Sequence, residues 1–270
     1  IKNPQKEVYQ EGISQCIVDA KTNIDAIDKS IKDLYSKGYM HNHLRMYVAS
    51  LSTNIAKSHW KQPAKWMYYH LLDGDWASNA LSWQWVSGAN SNKKYIANQD
   101  NINKYTYSNQ KNTFLDCSYD EIMNLEQPSN FKLMSKEILK TEFPDFEKFS
   151  LDNSKPIYIY NYYNLDPLWR TDINATRILL IEPSIFNKYP IGKKAMNFML
   201  ALSKNIPSIK VFVGEFDELE IGDQEVYFKE HPLNYNYKGS KDSRDWMSSV
   251  KGYYPSFFKF WNKLKKEKSF

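Results

Sequence analysis

Only two cysteines, Cys16 and Cys117, occur in 270 residues. Two cannot make a metal site by themselves or a disulfide framework. That usage fits a reducing compartment, so a cytoplasmic location is expected. No apolar run approaches the ~18 residues that a membrane span needs, and the opening IKNPQKEVYQ lacks the apolar core of a signal peptide. No membrane role is expected. Neither a Gly-x-Gly-x-x-Gly nor a Walker-type loop is found after residue 155, so no nucleotide is assigned there. The first residue is Ile rather than Met, so an incomplete or processed product is expected.

Hydrophobic residues make up 42% and charged residues 25%, enough for a packed core. Aromatics reach 16%, with 8 Trp, a surplus that points to stacking surfaces, redox work or a large core. The formal charge of +5 permits contact with nucleic acid without demanding it.

Apolar spacing divides the chain into three parts. Ile27, Ile31, Leu34 and Tyr35 share a helix face over 23–37, which Gly38 stops. A second helix is expected over 41–59, with Leu44, Val48, Leu51 and Ile55 along one side. A third is expected over 64–72, opened by Pro63. Asp73-Gly74-Asp75 then reads as a turn before a fourth helix over 76–85, and Gly88 ends the helical block. Residues 107–154 are polar and read as a linker with short helices. From 155 the pattern is strand–helix: strands over 157–160, 177–181, 209–213 and 226–229, a helix over 193–203, and a closing helix over 256–266. Phe257, Phe258, Phe260 and Trp261 are expected to form the apolar face of that last helix. The expected fold is thus α + α/β: a helical segment over 1–106, the linker, and a small α/β layer over 155–270.

Within the helical part, Asn42, Arg45 and Met46 share one helix face, and Asn79 and Trp83 stand at i, i+4. Asp73 and Asp75 precede the fourth helix, where a carboxylate is favoured and can accept from an imide N–H. Arg45 can neutralise one of them, which makes burial of the pair tolerable. The spacing alone leaves two readings level: an edge that binds a planar ring, and a solvated turn with an N-cap. Singly, Trp60, Trp83 and Trp85 read as core residues and Asn42 as a surface or cap residue. No metal site is expected.

The ordered set Gly38-Tyr39-Met40-His41-Asn42, Arg45-Met46, Ala49-Ser50, Leu72-Asp73-Gly74-Asp75, Ala77-Ser78-Asn79 and Trp83-Gln84-Trp85 resembles the C-terminal half of the flavin domain of DNA photolyases and cryptochromes. The resemblance covers about a quarter of the chain. It also extends to bacterial photolyase-like proteins with an α/β tail. It implies an all-helical FAD-binding segment followed by the small α/β domain, with FAD as cofactor and damaged DNA as partner. The implied activity is that of a deoxyribodipyrimidine photolyase-like lyase, light-driven electron transfer from reduced FAD to pyrimidine dimers.

The resemblance also implies roles. Asn42, Arg45, Asp73, Gly74, Asp75 and Asn79 would hold the flavin, with Asp73 buried against Arg45 and Gly74 allowing close approach. Trp83, Trp60 and Asn79 would serve electron transfer, Asn79 by facing flavin N5. Asn42, His43, Met46 and Trp85 would contact DNA. Some positions depart from the family. His43 stands where an arginine is usual, Tyr39 where Trp is frequent, and Ala80-Leu81-Ser82 where Asn-Gly-Gly is commoner. Only 38 residues precede Tyr39, too few for the phosphate-binding half of such a site. A fragment or split subunit is therefore expected, completed by a separately encoded N-terminal half. The alternative is a non-catalytic interaction or signalling protein that keeps the scaffold.

The lysines at 259, 263, 265, 266 and 268 read either as phosphate contacts or as a solvated helix end. His231 beside Glu230 has no third catalytic partner. Asp242, Arg244, Asp245 and Trp246 resemble a word in the family's α/β tail with no chemistry attached.

Overall fold

The computed structural model describes residues 5, 8–90 and 93–268. Contacts divide the chain into two compact units, Ile1–Asp145 with Glu182–Leu202, and Phe146–Ile181 with Ser203–Phe270. The expectation of a continuous second domain over 155–270 therefore meets an interruption, because 182–202 groups with the helices.

The first unit is helical. It contains α1 (Gln15–Val18), α2 (Asp25–Lys37), α3 (Asn42–Ser50), α4 (Lys61–His70), α5 (Trp76–Val86), α6 (Gln99–Thr106), α7 (Tyr119–Met123), α8 (Pro183–Lys188) and nearly all of α9 (Lys193–Ser203). In α2 the apolar repeat Ile27, Ile31 and Leu34 is wholly buried. Asp28 accepts from Thr22 N and Oγ1 at 2.8 and 2.7 Å. Gly38 closes the helix in the left-handed region, φ 71°, with its N–H on Leu34 O. Only glycine fits there, since a Cβ would stand 2.5 Å from Leu72 Cγ.

The helix expected over 41–59 is shorter and changes character. After α3 the ladder widens to a π-helical turn, Leu51–Ile55, and Lys57 takes φ 55°. Ser52 and Thr53 hydroxyls bond back to Val48 O and Ala49 O at 2.9 and 2.7 Å, while the Asn54 amide donates to Val86 O and Tyr95 O. Side chains that compete for backbone partners in this way loosen the helical ladder. Helix α4 begins three residues earlier than expected, so Pro63 falls within its first turn, where no N–H is needed.

The polar stretch after 106 is not a free linker throughout. Leu115, Ile122 and Phe131 join the helical core, and Ser118 and Glu121 form a capping box on α7. Farther on, Thr141 Oγ1 donates to Ile191 O and accepts from Ile191 N, at 3.0 and 2.8 Å.

The second unit is built on a parallel five-stranded sheet in the order β3-β2-β1-β4-β5. The strands are β1 (Ile157–Tyr160), β2 (Thr176–Ile181), β3 (Lys210–Val213), β4 (Val226–Lys229) and β5 (Ser240–Asp242). The central β1 and β2 are buried along their whole length, as parallel strands are. Ser-Lys-Asp of β5 carries no apolar signal and escapes sequence reading. Its anchor is electrostatic: Arg170 Nε and Nη2 donate to the two Asp242 oxygens at 2.8 and 2.9 Å, and Trp169 Nε1 donates at 2.8 Å. Those hydrogen bonds hold the Asp242 carboxyl below the usual range, against the opposing effect of burial. The closing helix α10 (Phe257–Lys268) turns Leu264 inward, with Phe260 and Trp261 half-buried. Phe257 and Phe258 are exposed, contrary to the expected apolar face.

His70, the last residue of α4, is packed against Tyr35, Trp66 and Tyr69 with centroids 4.7, 5.7 and 5.0 Å away. Burial pushes its imidazole down from 6.5 to about 4. The unfolded chain therefore takes the proton first. The stability this neutral ring supports is intact above pH 6.5 and is lost as pH falls toward 4. The thermal midpoint of His70→Phe should fall less between pH 7 and pH 5 than that of the parent. Equal falls would show that His70 titrates alike in both states.

Candidate functional site

Three stretches of the helical unit converge on one cleft of about 100 Å³. Helix α3 contributes Asn42, Arg45, Met46 and Ala49. The turn after α4 contributes Leu71, Asp73, Gly74 and Asp75, and α5 contributes Ser78, Asn79, Ser82, Trp83 and Val86. The α5 residues fall at i, i+1, i+4, i+5 and i+8, one face of the helix.

Arg45 organises the cleft. Its Nε donates to Met40 O at 2.7 Å and its Nη2 to both Asp73 oxygens at 2.9 and 2.8 Å. Its guanidinium also lies over the Tyr39 ring at 5.6 Å. The Arg45 and Asp73 side chains are 24% and 53% exposed, so Asp73 is half open to water rather than buried as expected. A pair so exposed contributes about 1 kcal/mol or less.

Asp75 caps α5, with Oδ1 accepting from Ser78 N at 2.7 Å. Of the two readings left open by the spacing, the cap is realised, and the same residue still lines the cleft. Asn79 Nδ2 donates to Ala64 O at 2.8 Å, tying α5 to α4 and leaving the amide oxygen as the remaining acceptor. A Cβ on Gly74 would lie 3.1 Å from Tyr68 Cδ2 and 3.4 Å from Leu71 O. A side chain there would need the Tyr68 ring to give by a few tenths of an ångström, so the chain's own packing already favours a small residue. Asn42 Nδ2 donates to Met46 Sδ at 3.9 Å, and Trp83 is 1% exposed.

Three expected site residues stand outside the lining. Trp60 is buried just ahead of α4 and packs on His59. His43 stacks on Tyr105, centroids 4.4 Å apart. Trp85 is 45% exposed and tilts against Tyr95 at 5.4 Å. Sequence reasoning passed over Ala49, Leu71, Ser78, Ser82 and Val86, although helical spacing signals Ala49 from Arg45 and Ser82 and Val86 from Asn79.

The lining presents acceptors, Asp73, Asp75 and the Asn79 oxygen, above an oxidisable indole. That acceptor set, with one indole in the same lining, can receive N–H donors.

Residues 6–117 match the family model described as the FAD binding domain of DNA photolyase. The deoxyribodipyrimidine photo-lyase of Agrobacterium fabrum is 40% identical over 68 residues, 25% of this chain and 14% of that protein. That of Escherichia coli K12 is 33% identical over 81 residues, 30% of this chain and 16% of that one. A putative mitochondrial cryptochrome DASH of Neurospora crassa is 29% identical over 170 residues, 60% of this chain and 22% of that protein. The chain spans less than a quarter of the length of these relatives. No solved structure matches. The helical segment is thus similar, over residues 6–117, to the FAD binding domain of DNA photolyase.

Removing the two carboxylates should have unlike effects on stability. Asp75→Ala should lower unfolding free energy by about 1 kcal/mol through the lost cap, and Asp73→Asn by less than about 1 kcal/mol. Urea denaturation measures both. A loss of several kcal/mol for Asp73→Asn would mean that the Arg45 pair is buried in solution.

Proposed function

We propose that the cleft is one wall of an FAD site in a photolyase/cryptochrome-like protein, acting in light-driven electron transfer to pyrimidine dimers in DNA. The observation that carries this reading is the convergence of Arg45, Asp73, Asp75, Asn79 and Trp83 on one cleft. The residues fit the group. Asp73, oriented by Arg45, would hold the ring by accepting from an N–H of it, and the Asn79 oxygen would accept from a second. Reduced FAD, when bound and excited, supplies the electron that opens the cyclobutane ring. Trp83, buried under the cleft, serves as an electron donor that re-reduces the site, and Trp60 is assigned the next position. Asn42, Met46, His43 and Trp85 are assigned to the lesion, which must leave the stack to be reached.

A cleft of about 100 Å³ is smaller than the ~300–1,000 Å³ of ordinary cofactor pockets. On this reading further polypeptide supplies a second wall, and a separately encoded N-terminal half is the proposed source. A reducing, cytoplasmic setting belongs to the same reading. The small volume and half-open Asp73 also favour a second reading, a scaffold that keeps the helices without the chemistry.

The two readings separate on Trp83→Phe, made in the protein completed by the missing wall. Flavin content should stay near that of the parent while photoreduction of oxidised flavin slows at least about tenfold, since phenyl is far harder to oxidise than indole. Unchanged photoreduction would remove Trp83 from the electron route. A completed protein without flavin would favour the scaffold.

A further inference from the structure

Three lysines of the helical unit stand together without an acidic partner. Lys61 and Lys65 are one turn apart on α4, and Lys188 ends α8. The Lys65 and Lys188 ammonium groups both lie over the Tyr189 ring, 5.9 and 5.4 Å from its centre. No carboxylate forms an ion pair with any of the three among the described residues. Burial pushes the Lys65 ammonium below its ordinary range, and the Lys61 and Lys188 charges push the same way. Like charges at i, i+4 destabilise a helix, and Lys61 opens α4, where the dipole disfavours a cation. The folded chain keeps this cluster at a cost.

Lys65 also lines a cavity of about 610 Å³, within the ~300–1,000 Å³ of small-molecule sites. Gln62 and Asn187, each next in sequence to one of the other two lysines, bring side-chain amides to the same lining, and Ser135 brings a hydroxyl. Glu11 and Glu137 line it as acceptors. All of these residues belong to the first compact unit. The cavity shares no lining residue with the Arg45–Asp73 cleft, so the two are separate sites.

We infer that this cavity binds a phosphorylated sugar, free or as part of a nucleotide. The phosphate takes the side of Lys65, where a dianion turns three mutually repelling ammonium groups into a paired set. The hydroxyl-bearing body enters the cavity, where Glu11 and Glu137 accept from hydroxyls and the Gln62 and Asn187 amides donate. Lysine side chains hold the phosphate as point charges, so no glycine-rich loop is needed. A bare anion would use the lysines alone and would still face the two carboxylates, which favours a sugar phosphate over inorganic phosphate.

Isothermal titration of the full chain with ribose 5-phosphate, AMP, ribose and inorganic phosphate tests this. Ribose 5-phosphate and AMP should bind and raise the thermal midpoint, ribose should not, and inorganic phosphate should bind at least about tenfold more weakly. Tighter binding of AMP than of ribose 5-phosphate would mark the nucleotide as the source, and equal binding the free sugar phosphate. Lys61 and Lys188 are both exposed, so Lys61→Gln/Lys188→Gln should keep the fold. Its affinity for either organic phosphate should fall at least about tenfold. Its midpoint without ligand should hold or rise, because the repulsion is relieved. No binding, parental affinity in the variant, or inorganic phosphate bound as tightly as ribose 5-phosphate overturns the proposal. So does lysine-dependent binding of a duplex oligonucleotide with none of the small phosphates, which would make the cluster part of a nucleic-acid surface.

Discussion

Everything proposed for the helical unit depends on the way Arg45 joins two turns that are far apart in sequence. Its guanidinium donates to Met40 O on one side and to Asp73 on the other. A backbone bond from Leu72 N to Gly38 O, 2.8 Å, runs between the same two turns. The Gly38 turn can approach Leu72 only because position 38 has no side chain. The exposed ion pair contributes little energy by itself. Its value is positional, since it sets the carboxylate at the mouth of the cleft while packing and the backbone bond keep the turns together.

The remaining walls are held by polar contacts as well as by shape. Asn79 fixes α5 to the Ala64 carbonyl, Asp75 caps its start, and Asn54 reaches the Val86 carbonyl near its end. A buried, hydrogen-bonded amide such as that of Asn54 fixes a register that apolar packing leaves loose. The π-helical turn supplies Asn54, so the departure from regular α-helix reaches the carbonyl of Val86, a residue of the lining. The rigidity suits a ring-binding wall, and it equally suits a scaffold. Trp83 is what distinguishes them, because electron donation makes a demand on the indole that packing does not.

Much of this was legible in the sequence, for identifiable reasons. The Ile27–Ile31–Leu34 repeat and Gly38 marked α2 because burial and a left-handed cap leave strong signals. Offsets put Asn42 with Arg45 on one helix face and Asn79 with Trp83 on another, because helices carry i, i+3 and i+4 neighbours to one face. The expectation that these faces meet the Asp73-Gly74-Asp75 turn came from the family resemblance. What stayed hidden depended on distant partners. The break after Ser50 comes from hydroxyl and amide bonds, one of them to Val86, and β5 is held by Arg170, about seventy residues away in sequence. The exposure of Asp73, Phe257 and Phe258 is a tertiary property that residue type does not encode. Sequence made Asp242 part of an unexplained word, and the structure makes it the anchor of an edge strand.

The central claim is that the Arg45–Asp73 cleft recognises a flavin ring. Side-chain NMR during titration of the protein, completed by its second wall, with riboflavin, which carries the ring without the diphosphate, tests it most directly. The account predicts that the Asn79 Nδ2, Trp83 Nε1 and Ser78 amide signals shift together, while the Trp169 and Trp246 indole signals in the α/β unit do not. Silence at Asn79 and Trp83, or shifts confined to the α/β unit, would contradict it.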